Sequence, residues 1–442
     1  MSVAALSPRV AVRRRVFPWA VLAGVFSVIV AGLLIKAGGG VLGVPLPPFV
    51  MRWEPLVDWP LAAIAAVVLG AGVLVAPVVV LRVRSRLLVA VSLYALALGL
   101  GLALNAARTG SAGWSKVFAT GPHGSVEGYF EYLLALPVLR NGIAYYVSHF
   151  AALLPYVTTH VKGNPPGPLI ALHLLGISTP GALAALCIGL GSLCAPLAYD
   201  LGRVLGGERR GRIAGVLTAF SPAVLLFGVT SADYAFAAIG VAVACLLVRA
   251  GPRALIAGSI LAAIASFFSW LLLAIPAWAA VVTWRRHGWG RAAALCVAVA
   301  IAIAAFTGLL AIVWGYDPFS ALSATASAYS HGIATIRPYA FWLFGSPAAW
   351  IAMLGAPVAW LSLRALTDGD DAAVAIWALV AFASVVGFTK AETERVWLPF
   401  VPLACVAAAG ALAALPVARL RLVLAVLAVQ ALAVELLFFT VW

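Results

Sequence analysis

Apolar runs of about 20 residues recur along this chain, each long enough for a helix to cross a hydrocarbon core of about 30 Å. The 442 residues are 64% hydrophobic and 10% charged, where soluble domains run at about 45–50% and about 25%. No soluble fold hides that much apolar surface. Lipid is therefore the solvent, and the expected fold class is all-α, a polytopic transmembrane helix bundle.

The runs predict helices near 17–36, 58–81, 87–105, 168–200, 211–229, 232–249, 291–314, 346–364, 372–389, 396–415 and 421–441. The remaining block, 254–284, has Arg249 and Arg253 before it and Arg285, Arg286 and Arg291 after it. Two short helices turning near 266–270 keep both clusters on one side, and the total becomes about 13. With the N-terminus cytoplasmic, 19 of the 28 Lys and Arg fall inside and nine outside. The net charge of +14 is then a topological signal rather than a nucleic-acid surface. Arg9, Arg13, Arg14 and Arg15 ahead of 17–35 resemble a signal peptide, but the run is too long and no small-x-small site follows. An uncleaved first helix is expected, in a multi-pass protein of the plasma membrane. Cys187, Cys194, Cys245, Cys296 and Cys405 all fall in apolar segments and read as small core residues.

The unusual polar residues belong to the outer side: a long loop at 106–166, a second at 316–345, and two turns carrying Asp233 and 390–395. No internal repeat or low-complexity tail is present. Segments 126–138 and 142–156 mix aromatic and aliphatic residues with isolated polar ones, which predicts two juxtamembrane amphipathic helices. On the first, Glu127 and Glu131 are four apart and share a face. Their repulsion favours one as a proton acceptor, suited to general-base work; a solvated polar face is the plainer alternative. His160, Lys162 and Asn164 then precede Pro165-Pro166, which fix a rigid approach to the next helix. His160 and Lys162 can hold a lipid phosphate there, although simple snorkelling also accounts for Lys162.

Lys390, Glu392, Glu394 and Arg395 place four charges within six residues directly against an apolar run. Charges so placed face a polar cavity rather than lipid, and Arg395 is suited to a bidentate phosphate; the alternative is a salt-bridged turn. Asp233, His331 and Arg337 are weaker candidates of the same kind. There is no Walker loop, dinucleotide fingerprint or His/Cys set at metal spacing, so no cofactor is expected, with a divalent metal left open. Apart from Asp200 and Glu435 near helix ends, the helices lack the acids and bases of an ion-coupled transporter.

Taken in order, these segments resemble the GT-C superfamily of membrane glycosyltransferases, which includes protein O-mannosyltransferases, aminoarabinose transferases and actinobacterial mannosyl- and arabinofuranosyltransferases. Glu127 and Glu131-Tyr132-Leu133 stand where the superfamily carries its acidic base, and Asn164-Pro165-Pro166-Gly167-Pro168 stands at its His-Pro-Pro type turn. Ser231-Ala232-Asp233 and Glu394-Arg395-Val396-Trp397-Leu398-Pro399 resemble its outer turns. The chain departs from the pattern in having its acidic loop after the third helix, Asn164 in place of His, and Glu in place of Asp.

The resemblance implies N-terminal helices at 1–86, a shared module at 87–415 with its catalytic loop at 106–166, and a C-terminal helix at 416–442. It implies inverting transfer of a sugar from a polyprenyl-phosphate donor to a hydroxyl of a glycan, lipid or protein acceptor at the outer face. Glu131, or else Glu127, would be the base, and His160, Lys162, Arg337, Lys390 and Arg395 would meet the phosphate. The expected setting is cell-envelope synthesis in a lipid bilayer, with no nucleic-acid partner. Alternatives are a lipid or lipid-linked-sugar transporter, in which the same cations bind phosphate without catalysis, and a non-enzymatic scaffold.

Overall fold

The computed structural model describes residues 8–122 and 124–440. The side chains of Arg9, Arg13, Arg14 and Arg15, which contribute to the expected orientation, lie outside what is described. Among the described residues six helices are long and apolar enough to cross a membrane: Val16–Ala37, Trp59–Val79, Arg86–Lys116, Pro180–Phe220, Trp289–Trp314 and Val417–Leu437. The bent pair Tyr339–Leu354 and Ala356–Thr367 makes a seventh. Asp233–Leu247, Pro252–Ser266, Asp371–Val386 and Leu398–Leu412 are shorter apolar helices. The only strands among the described residues, Arg52–Trp53 and Phe438–Phe439, pair antiparallel. The protein is an all-α membrane protein. Side chains such as Phe26, Val67, Ile301 and Ile312 stand exposed on its flanks, where only lipid makes apolar exposure favourable.

Two glycine breaks shape the bundle. At Gly206-Gly207, with φ of 85° at Gly207, the helix Cys194–Phe220 folds back on itself. The two halves then approach at Gly202 and Gly211, where a Cβ on Gly211 would lie 2.4 Å from the Tyr199 carbonyl. At Gly355, φ of 100° turns the chain through 111° between Tyr339–Leu354 and Ala356–Thr367. The Ala-rich helix Val401–Leu412 is buried nearly all round and packs on 208–220 and Ala356–Thr367, as small residues permit in lipid.

Arginine loops converge at one end of the bundle. Arg210 is held bidentately by Asp370 at 2.7 and 2.9 Å, Arg285 and Arg286 reach Asp371, and Arg203 and Arg249 share Asp200. The opposite end carries the long loops. There Arg108 ties the carbonyls of Glu54, Glu435 and Phe438 together. The block 254–284 forms two helices, Pro252–Ser266 and Ala274–His287, with a turn between them facing that loop-bearing end.

Four expected segments differ. The run 168–200 is divided into Gly167–Leu174 and Pro180–Gly191, because Gly176 takes a φ of 67° and the Thr179 hydroxyl caps the new helix before Pro180. The run 346–364 begins earlier, at Tyr339, and breaks at Gly355. Segment 126–138 is not an amphipathic α-helix but the 3-10 turns Glu127–Tyr129 and Tyr132–Asn141, with Pro137 inside the second. Glu131 is extended between them (φ −77°, ψ 170°), so Glu127 and Glu131 do not share a helix face. Segment 142–156 is likewise short pieces, Ile143–Ser148, Phe150–Leu153 and Leu154–Tyr156.

Candidate functional site

At the loop-bearing end a cavity of about 490 Å³ opens among the turn at 269–271, the helix Asp371–Val386 and the loops around 160, 233, 333 and 390. One wall is ionic. Arg395 donates from Nη1 to Asp233 Oδ2 at 2.5 Å and from Nη2 to Glu392 Oε2 at 3.0 Å. Arg337 donates from Nη2 to Glu392 Oε1 at 2.7 Å and from Nη1 to the Lys390 carbonyl at 2.7 Å. Lys390 Nζ returns a bond to the Arg337 carbonyl at 3.2 Å. The Ser231 hydroxyl donates to Asp233 Oδ2 at 2.8 Å, at the start of the helix Asp233–Leu247.

Glu392 thus bridges two guanidiniums. Burial pushes its carboxyl upward, but Arg395 and Arg337 outweigh that and hold it at about 2. Its neighbour behaves oppositely: burial lifts Glu394 to about 7. The side chain of Glu394 turns away from the cavity, and Oε1 accepts the Val50 N–H at 2.8 Å.

Ala391 (φ 65°) and Glu392 (φ 59°) are the only non-glycine residues of positive φ among those described, and they are adjacent. Left-handed backbone costs about 1–3 kcal/mol at such a residue, and such residues gather at functional sites. The strained pair is pinned on both sides. The Tyr329 hydroxyl accepts the Lys390 N–H at 2.7 Å, Thr393 Oγ1 donates to the Ser346 carbonyl at 2.6 Å, and Trp397 Nε1 donates to Thr389 Oγ1 at 3.0 Å.

The loop 130–164 closes a second side. His160 lines the cavity, and its Nδ1 lies 3.1 Å from Glu131 Oε1. Asn164 donates to both the His160 carbonyl and the Tyr132 hydroxyl at 3.0 Å. The remaining wall is apolar, formed by Trp270, Leu273, Leu322, Ile333, Leu379, Phe382, Val386 and Phe388. Several of these are also exposed on the protein's flank, Phe382 by 67% and Val386 by 51%, so this wall runs out to the lipid-facing surface.

The structure therefore gathers Asp233, Arg337, Lys390, Glu392, Arg395, His160 and Asn164 around one cavity. Glu131, 1% exposed, stands behind His160 and does not line it. Glu127 is buried and Lys162 half-buried outside the lining, and His331 is exposed, its Nδ1 3.2 Å from Ser327 Oγ. Sequence reasoning missed Tyr329 and the 269–271 turn as cavity walls. For Tyr329 the signal was its position two residues before His331 in the second outer loop, and for the turn it was the break proposed within 254–284. Among the described residues no group of three or more His, Cys, Asp or Glu side chains is placed to hold a metal ion. Four cysteines are buried and Cys296 is exposed, all of them free. Neither comparison with protein-family models nor comparison with curated proteins gives a match.

Proposed function

We propose that this protein is a membrane glycosyltransferase that passes a sugar from a polyprenyl-phosphate donor to an acceptor hydroxyl, with inversion, at the outer face of the plasma membrane. One observation carries this reading: the cavity joins a cationic wall to an apolar wall continuous with the lipid-facing surface. A lipid-linked phosphate needs both, a lateral path for its tail and guanidiniums for its headgroup. Arg337, Lys390 and Arg395 supply that charge and would stabilise the leaving phosphate as its negative charge develops. The GT-C resemblance supplies the reaction class. If the four shorter apolar helices and Ala274–His287 also cross, and Pro180–Phe220 crosses twice through its fold at Gly206-Gly207, the spans number thirteen, with the arginine-rich end in the cytoplasm under the positive-inside bias.

The test reconstitutes the full chain in proteoliposomes with synthetic polyprenyl-phosphate-linked hexose and pentose donors and soluble glycoside or peptide acceptors. Radiolabelled sugar should move to a soluble product of inverted anomeric configuration. If label stays on the lipid with every donor while the donor itself crosses the bilayer, the protein is a transporter and the transferase reading is wrong.

A further inference from the structure

Two carboxylates line the cavity, and they differ in what their partners leave open. Each oxygen of Glu392 receives an arginine, Oε1 from Arg337 and Oε2 from Arg395. Asp233 takes both of its side-chain partners on one oxygen: Oδ2 receives the Arg395 guanidinium and the Ser231 hydroxyl. Nothing among the described residues donates to Oδ1, and that atom is not sealed, since the side chain is 15% exposed and lines the cavity. The other acids nearby offer no such atom. Both oxygens of Glu131 and Oε2 of Glu394 are sealed from solvent, and Glu394 Oε1 holds the Val50 N–H.

We propose that Asp233 is the proton acceptor of this site, working through Oδ1 while Oδ2 stays anchored to Arg395 and Ser231; this rests on the transferase reading above. A carboxylate carries lone pairs on both oxygens, so a proton taken on Oδ1 leaves both hydrogen bonds on Oδ2 in place. The anchors also fix where Oδ1 points. Ser231 Oγ accepts the Asp233 N–H at 3.0 Å, and Arg395 is held in turn by Glu392. The ionic wall thus runs from Asp233 through Arg395, Glu392 and Arg337 to Lys390. Its first member has a spare acceptor oxygen, and its last spends one of three ammonium N–H groups on the Arg337 carbonyl. Direct displacement needs a proton acceptor on one side of the anomeric carbon and a phosphate site on the other, and the two ends of this wall supply them.

In the transfer step the acceptor oxygen bonds to the anomeric carbon as the bond from that carbon to the phosphate oxygen breaks. The phosphate leaves with that electron pair, and the hydroxyl proton passes to Asp233 Oδ1. The charges keep pace. Three cations face two carboxylates on this wall, an excess of one that matches a phosphodiester donor. Once Asp233 is protonated the excess is two, and the departing phosphate monoester carries a charge of about −2. The carboxylic acid later releases its proton to water.

The test measures transfer and donor retention side by side in the proteoliposome assay. D233N keeps an oxygen for the guanidinium but cannot take a proton, so it should lose about 100-fold in kcat while retaining the donor lipid as the wild type does. D233E, which keeps a carboxylate, should recover part of that loss, and D233S replaces D233N if that variant does not fold. D233N transferring at the wild-type rate, or losing transfer only in step with donor retention, overturns the assignment and leaves the transferase reading intact. If the wild type transfers nothing, the transferase reading fails and the catalytic role of Asp233 falls with it.

Discussion

Two glutamates two residues apart should pull stability in opposite directions with pH, and Glu394→Gln isolates one of them. Burial raises the Glu394 carboxyl from 4.5 to about 7. The folded protein therefore favours its neutral form, so its contribution is whole below pH 4.5 and is lost as pH rises through 7. A rise of that size corresponds to about 3 kcal/mol at pH values above both constants. E394Q keeps an oxygen for the Val50 N–H yet cannot ionise. Unfolding free energies by SDS titration of mixed micelles at pH 5 and pH 8.5 give the measurement. The wild type should lose about 2.5 kcal/mol more than E394Q across that window, because the unfolded carboxyl is already largely ionised at pH 5. Glu392, held at about 2, does not titrate there, and the histidines cancel in the comparison. Parallel pH slopes for the two proteins would refute the placement of Glu394 as a buried acid favoured in its neutral form.

The same unfolding assay checks three further expectations. Arg395→Met strands Asp233, while Glu392 keeps Arg337, and should cost about 3–5 kcal/mol, part of which Asp233→Asn recovers in the double variant; additive single effects count against the pairing. Ala391→Gly relieves a left-handed residue and should stabilise by about 1 kcal/mol, whereas Gly207→Ala, with nothing within 4 Å of its Cβ, should destabilise by about 1 kcal/mol through backbone conformation alone. Glu392→Gln removes a carboxyl held down to about 2, so its stability deficit should be present above pH 4.5 and vanish as pH falls through 2.

The helical bundle was legible in the sequence because lipid imposes one strong rule on length and polarity. The flanking arginines even located the break between Pro252–Ser266 and Ala274–His287. Local geometry was less accessible. Treating 126–138 as one helix put Glu127 and Glu131 on a common face, but Pro137 and an extended Glu131 undo the spacing on which that rested. The 390–395 cluster illustrates the same difficulty on a smaller scale. Neighbours in sequence were read as one charged group, yet the left-handed pair sends Glu392 toward the arginines while Glu394 turns to Val50. Which side chains converge depends on backbone angles that residue type does not announce, since neither Ala391 nor Glu392 is a glycine. Arg337 had little to mark it in sequence. It becomes central because Pro338 starts the helix Tyr339–Leu354 beside the 390 loop.

Stability alone is a poor explanation for this arrangement. Buried ion pairs return little net stability once desolvation is counted, and two consecutive left-handed residues cost about 1–3 kcal/mol each. Both burdens fall on one wall of one cavity, where Arg337, Lys390 and Arg395 face Asp233 and Glu392, an excess of one positive charge. The guanidiniums there are already dehydrated and fixed in orientation by their carboxylates, so an arriving anion finds its donors in place. The opposite wall offers apolar surface out to the lipid. Preorganised excess charge beside a lipid-accessible apolar wall favours a ligand that is anionic at one end and hydrocarbon at the other.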